Sequence, residues 1–129
     1  MGRELKRILY VEDETDIRTV TAMALEAVGG FTVISCDSGN EALATAPDAN
    51  ADLILLDVMM PGMDGLATLS ALRGLSQTAA TPVIFMTAKV QASEIQHYMR
   101  LGATDVIAKP FDPMMLSAQI GEIWQKVAG

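Results

Sequence analysis

Five short runs of mainly apolar residues punctuate the chain, at 8–11, 32–34, 53–56, 83–86 and 106–108. The stretches between them are polar and carry apolar residues at helical spacing. After the first run, Ile17, Val20, Ala24 and Val28 recur on one helical face, and Gly29-Gly30 ends that helix. Ser38 and Glu41 have capping-box spacing ahead of a second, short helix that Pro47 is expected to limit. Pro61-Gly62 marks a turn, and Leu66, Leu69 and Leu72 outline a third helix stopping near Gly74. A fourth helix runs through Ile95 and Met99 to Gly102. Asp112-Pro113 supplies the cap and first-turn proline of a fifth, with Leu116, Ile120, Ile123 and Val127 on one face.

Runs that are continuous rather than alternating predict strands covered on both faces. Five such runs alternating with five amphipathic helices predict βα units around a parallel sheet. Right-handed crossovers then distribute the helices over both sides, giving a three-layer, doubly wound α/β fold. With 129 residues and no internal repeat, the expectation is one domain over 1–129, with its core at about 7–127.

Composition narrows the function. Half of the residues are hydrophobic, enough for a packed core. Sixteen acidic against nine basic residues give a net charge of −7, which disfavours direct nucleic-acid binding. No apolar run approaches the ~20 residues of a membrane span, so no membrane insertion is expected. The single Cys36 cannot form an internal disulfide, and nothing near Met1 resembles a secretory signal, so a reducing cytoplasm is expected. Residues 3–7 hold three of the nine basic residues and are expected to fray.

In a parallel α/β sheet, whatever follows the strands converges at their carboxyl ends, where ligands bind. Glu12 and Asp13 follow the first run, Asp57 the third, Thr87 the fourth and Lys109-Pro110 the fifth. Each has an ordinary structural explanation. Glu12 or Asp13 could cap a helix, Asp57 could form a turn, Thr87 could cap the next helix and Lys109 could be a surface charge. Their convergence on one rim favours a site. Ionised carboxylates at ~4 Å and an effective dielectric near 20 repel by about 4 kcal/mol per pair. Proton uptake or a hard divalent cation would relieve this. Mg²⁺ suits an all-oxygen site, and the absence of His or Cys among these strand ends argues against zinc.

Four stretches closely resemble response-regulator receiver domains. They are Ile8-Leu9-Tyr10-Val11-Glu12-Asp13-Glu14, the run from Asp52 through Asp57-Val58-Met59-Met60-Pro61-Gly62-Met63-Asp64-Gly65, Pro82-Val83-Ile84-Phe85-Met86-Thr87-Ala88, and Gly102-Ala103 through Lys109-Pro110-Phe111. The resemblance implies a flavodoxin-like (βα)5 fold with strand order 2-1-3-4-5. It implies that Asp57 is the phosphoacceptor, and that Glu12, Asp13, Asp57 and the main-chain carbonyl of Met59 hold Mg²⁺, with Mn²⁺ as a substitute. Lys109 would pair with a phosphoryl oxygen, and Thr87 would hydrogen-bond another and report the modification to the surface. Lys109-Pro110 resembles the family's cis peptide. Many members place an aromatic residue three before the lysine of strand five. This chain has Val106 there, so switching would act through Thr87, the loop after it and the fourth helix. Met59 and Lys89 sit where side chains would screen an acyl phosphate from water.

The implied function is a phosphoacceptor switch rather than an enzyme. The partners would be a sensor histidine kinase and a downstream protein or a histidine phosphotransfer protein. The molecule would be a monomer with a phosphorylation-linked dimer. Because the chain ends with its fifth helix, no output domain is expected. A truncated receiver of a multidomain transcriptional regulator is the alternative. An aspartate-nucleophile phosphatase would need an acid where Met59 stands. A flavodoxin-like nucleotide binder would need a Gly- or Ser/Thr-rich loop in place of Glu12-Asp13-Glu14, whose charge repels phosphate. An unphosphorylated interaction module on the same scaffold would lack part of the acid–Asp–Thr–Lys set. His97 is expected on the fourth helix away from the rim, Cys36 as a small buried or half-buried thiol, and Met114, Met115 and Trp124 as packing or partner-facing residues of the last helix.

Overall fold

Every apolar run becomes a strand in the computed structural model, which describes residues 4–128. Strands β1 (Arg7–Val11), β2 (Thr32–Cys36), β3 (Leu53–Asp57), β4 (Val83–Thr87) and β5 (Asp105–Ala108) alternate with helices α1 (Thr15–Ala27), α2 (Gly39–Ala49), α3 (Gly65–Arg73), α4 (Ala92–Arg100) and α5 (Pro113–Ala128). The strands form one sheet in the order β2-β1-β3-β4-β5, with every neighbouring pair parallel.

Alternation of side chains divides the core into two layers. Leu9, Val11, Ile54, Leu56, Val83 and Phe85 pack with α2, α3 and Tyr98 of α4. Ile8, Tyr10, Leu53, Leu55, Ile84, Met86 and Ile107 pack with Leu25 of α1 and with Leu116, Ile120 and Trp124 of α5. Both faces of the three central strands are therefore dry, as their unbroken apolar runs require. Glu12, Asp57 and Lys109 continue the parity of Tyr10, Leu55 and Ile107. All three are thus delivered to the same side of the sheet edge.

Several local expectations are corrected. The inward face of α1 is Thr21, Ala24 and Leu25, while Val20 and Val28 are exposed. The helix is rotated from the face that its aliphatic residues suggest, since Thr21 packs inward beneath Tyr10. Pro47 does not end α2. It lies inside the last turn, where burial of Ala46 and Ala49 outweighs one missing hydrogen bond, and Asn50 closes the helix in the left-handed region (φ 51°). On α4 the buried residue is Tyr98, edge-on to Phe85 at 5.4 Å, while Met99 is exposed.

On α5, Trp124 is buried and Val127 is exposed, whereas Met114 and Met115 face solvent. Arg7 is not frayed. Its main-chain N–H donates to Asp52 and its Nε to the Ala49 carbonyl, whereas Arg3 lies outside the described residues. The Ser38 cap holds, its Oγ accepting from Glu41 N at 3.1 Å. Glu41 reaches back one residue further than a capping box requires, to Asp37 N at 2.7 Å. Among the described residues, no helix is long and apolar enough to cross a membrane.

Candidate functional site

The carboxyl edge of the sheet brings Glu12, Asp13, Asp57, Thr87 and Lys109 together from four strand ends. Glu12, Asp57 and Thr87 are almost completely buried. Lys109 Nζ lies 2.9 Å from Glu12 Oε1 and 3.1 Å from Asp57 Oδ1, so one ammonium bridges two buried carboxylates. Asp13 brings a third carboxylate, and one oxygen from each acid lies within 4.8 Å of the others.

The backbone fixes these groups. Glu12 N–H donates to Cys36 O at the end of β2, and Glu12 Oε2 accepts from Glu14 N at 3.2 Å. Asp57 Oδ1 accepts from Met59 N at 3.2 Å. Thr87 lies one residue beyond Met86, the β4 partner of Asp57. Its Oγ1 accepts from Lys89 N, and its carbonyl accepts from Lys109 N at 2.8 Å. The Lys109-Pro110 peptide is cis. Gly65 N–H donates to Val58 O, closing the β3–α3 loop that follows Asp57.

Charge is in excess here. Burial, reinforced by the charge of Glu12 and opposed by Lys109, raises the Asp57 carboxyl to about 7. Burial alone would lower Lys109, but its bond to Glu12 and the charges of Asp57 and Glu12 outweigh that, and the ammonium is held more firmly than usual. Three carboxylates against one ammonium leave a net negative pocket lined by hard oxygen donors. This donor set fits a small divalent cation of the Mg²⁺ kind. The main-chain carbonyl of Met59 follows the one amide that already contacts Asp57.

Two features escaped the sequence reading. His97 lies nearer the rim than expected: with Met59, Lys89, Glu94 and Tyr98 it lines a groove of about 660 Å³ between the β3–α3 loop and α4. Arg18 Nη1 donates to Glu12 O at 2.8 Å, with Asp13 O at 3.5 Å. A basic residue one turn into a helix that follows an acidic loop was the available signal. Cys36 is buried, as expected, and burial raises its thiol pKa. Val106 is half-buried against the layer that contains Phe85 and Tyr98, so an aliphatic side chain fills this position.

Comparison with known proteins agrees with this arrangement. Residues 8–121 match the family model described as "Response regulator receiver domain". The chain is 40% identical over 107 residues to the transcriptional regulatory protein ResD of Bacillus subtilis, covering 83% of this chain and 43% of ResD. It is 37% identical over 121 residues to the alkaline phosphatase synthesis transcriptional regulatory protein PhoP of the same organism, covering 94% of this chain and 49% of PhoP. The chain thus spans about half the length of these curated relatives. Among solved structures, the Vibrio cholerae chemotaxis protein CheY4 superposes with a TM-score of 0.85 at 32% identity, over 93% of this chain and 99% of that one. With its 2-1-3-4-5 sheet and its acidic strand-end cluster, this chain belongs to the response regulator receiver domain family.

Proposed function

We propose that this chain is a phosphoacceptor switch that takes a phosphoryl group from a sensor histidine kinase onto Asp57. The observation that carries the reading is the buried Asp57 carboxylate bridged through Lys109 to Glu12. A carboxylate oxygen needs no general base to attack phosphorus. As the new O–P bond forms, the P–N bond to the donor imidazole breaks, and the imidazole leaves with the electron pair. Lys109 orients one phosphoryl oxygen, and Thr87 Oγ1, which accepts from Lys89 N, has its O–H free to donate to a second. Glu12, Asp13, Asp57 and the Met59 carbonyl are the residues that would hold Mg²⁺ or Mn²⁺. When bound, the ion keeps these oxygens ionised and neutralises charge on the transferring group. Exposed Met59 and Lys89 flank the acceptor and limit the approach of water to the acyl phosphate.

The same reading assigns no substrate turnover beyond the chain's own phosphorylation and autodephosphorylation. It places the protein in the cytoplasm, where its kinase would act. Output passes through protein–protein contacts, through phosphorylation-linked dimerisation or through onward transfer to a histidine phosphotransfer protein. The relatives ResD and PhoP favour a second reading of the output, in which the receiver governs a transcriptional regulator.

Intact mass after incubation with acetyl phosphate and Mg²⁺ tests the proposal. The expected result is the gain of one phosphoryl group, prevented by chelation of the metal. An unchanged mass with acetyl phosphate, phosphoramidate and several phosphorylated histidine kinases overturns it. The ligand assignment has its own test. Asp13→Asn removes a half-buried carboxylate from the three-acid cluster. Calorimetric Mg²⁺ affinity should fall about tenfold or more. Equal affinity in the variant removes Asp13 from the ligand set.

A further inference from the structure

The loop that carries Glu12 and Asp13 is held from both sides. On the sheet side, Glu12 N–H donates to Cys36 O at 3.0 Å, tying the loop to the end of β2. On the helix side, Arg18 Nη1 donates to Glu12 O at 2.8 Å and lies 3.5 Å from Asp13 O. Glu12 has further anchors, since its carboxylate is bonded by Lys109 Nζ and by Glu14 N. Arg18 is half-buried, and its main-chain N–H bonds Glu14 O, so the helix backbone fixes the base of the side chain.

A guanidinium beside three carboxylates would ordinarily form an ion pair, the stronger contact. Here Nη1 is directed at main-chain carbonyls, so the guanidinium takes no carboxylate oxygen of Asp13 or Glu12. We propose that Arg18 is a positioning residue for the divalent cation. It clamps the backbone of the two acidic residues so that their side chains meet Asp57 before the ion arrives. The proposal rests on the phosphoacceptor reading above and deepens it.

Two physical effects of Arg18 have opposite signs, which makes the idea testable. As a nearby positive charge it repels a cation, so its removal should tighten Mg²⁺ binding. As a clamp it spares the cation the entropy of ordering the loop, so its removal should weaken binding. The structure favours the clamp, because the guanidinium contacts backbone carbonyls on two successive residues rather than the ligand atoms.

Calorimetric Mg²⁺ titration of wild type, Arg18→Met and Arg18→Lys tests this, alongside the Mg²⁺ dependence of phosphorylation by acetyl phosphate. Arg18→Met is expected to weaken Mg²⁺ about tenfold, with Arg18→Lys intermediate because it keeps a charged donor on a shorter, more flexible side chain. The half-saturating Mg²⁺ for phosphorylation should rise by the same factor, with the rate at saturating Mg²⁺ retained. A side chain that only supported the fold would lower the urea midpoint without this split. Equal or tighter Mg²⁺ binding by Arg18→Met overturns the proposal. Should Arg18→Met fail to fold, Arg18→Lys stands in for it, with a loss of about threefold expected on the same grounds and wild-type affinity overturning the clamp. If the wild-type protein itself takes up neither Mg²⁺ nor phosphoryl, the phosphoacceptor reading fails. If it takes up both and Arg18→Met matches it, only the clamp fails.

Discussion

Asp57→Asn is expected to abolish phosphoryl uptake while making the metal-free protein more stable. The loss follows from chemistry: the amide oxygen carries no negative charge and forms no acyl phosphate. The gain follows from the electrostatics. Burial and Glu12 raise the Asp57 carboxyl to about 7 in the folded chain, against about 3.9 in an unfolded one. Between about pH 4 and 7 the folded state therefore retains a proton that the unfolded state has released. Wild-type stability falls as pH rises through that window and is fully diminished above it. Asparagine has no charge to desolvate and still accepts from Met59 N.

The stability difference in favour of Asp57→Asn should therefore be small near pH 4 and at most about 4 kcal/mol above pH 7. Urea unfolding in a chelating buffer, repeated across pH, measures it. Mg²⁺ should narrow the difference, because the ion binds the folded wild type more tightly than the variant. Parallel pH–stability curves would show that the acceptor is not under electrostatic load. Phosphoryl uptake by Asp57→Asn at the wild-type level would move the acceptor elsewhere.

The second large effect is expected at Gly65, the first residue of α3. A Cβ there would lie 2.5 Å from Asp57 O and 2.6 Å from Val58 Cα. Both neighbours are backbone atoms of the acceptor loop, so no side-chain rotation relieves the overlap. Gly65→Ala should cost about 2–3 kcal/mol through overpacking. It should also slow phosphorylation of the molecules that remain folded, because the segment that must yield carries Asp57. Gly121 of α5 is the contrast: a Cβ there meets nothing within 4 Å. Gly121→Ala should instead stabilise by about 0.5–1 kcal/mol through helix propensity. Urea midpoints of the two variants that move in the same direction would count against this account of Gly65.

The strands were legible because residues buried on both faces leave an unbroken apolar run, and the site was legible because parallel strands all end at one edge. Helix faces were harder to read. On α1, Val20 looks like core and Thr21 does not. The side that faces the sheet is set by the crossover from β1 to β2, and Thr21 is the residue it turns inward. Pro47 shows the same limit, since a breaker in the last turn removes too little to outweigh two buried alanines. In the site, the residue types announced themselves, but their pairings did not. Nothing local says that Lys109 reaches Glu12 as well as Asp57, or that Arg18 turns to carbonyls instead of carboxylates. Those choices depend on contacts between segments far apart in the chain.

The span from Glu12 to Lys109 has a consequence for how competence is acquired. These two residues are 97 positions apart and meet at 2.9 Å. The entropic cost of closing such a distance is repaid only when the intervening strands are paired. A nascent or partly unfolded molecule would hold the acceptor and its acidic neighbours without their bridging ammonium. On the phosphoacceptor reading, acquisition of a phosphoryl group would require a sheet complete through its fifth strand, and incompletely folded copies would stay silent.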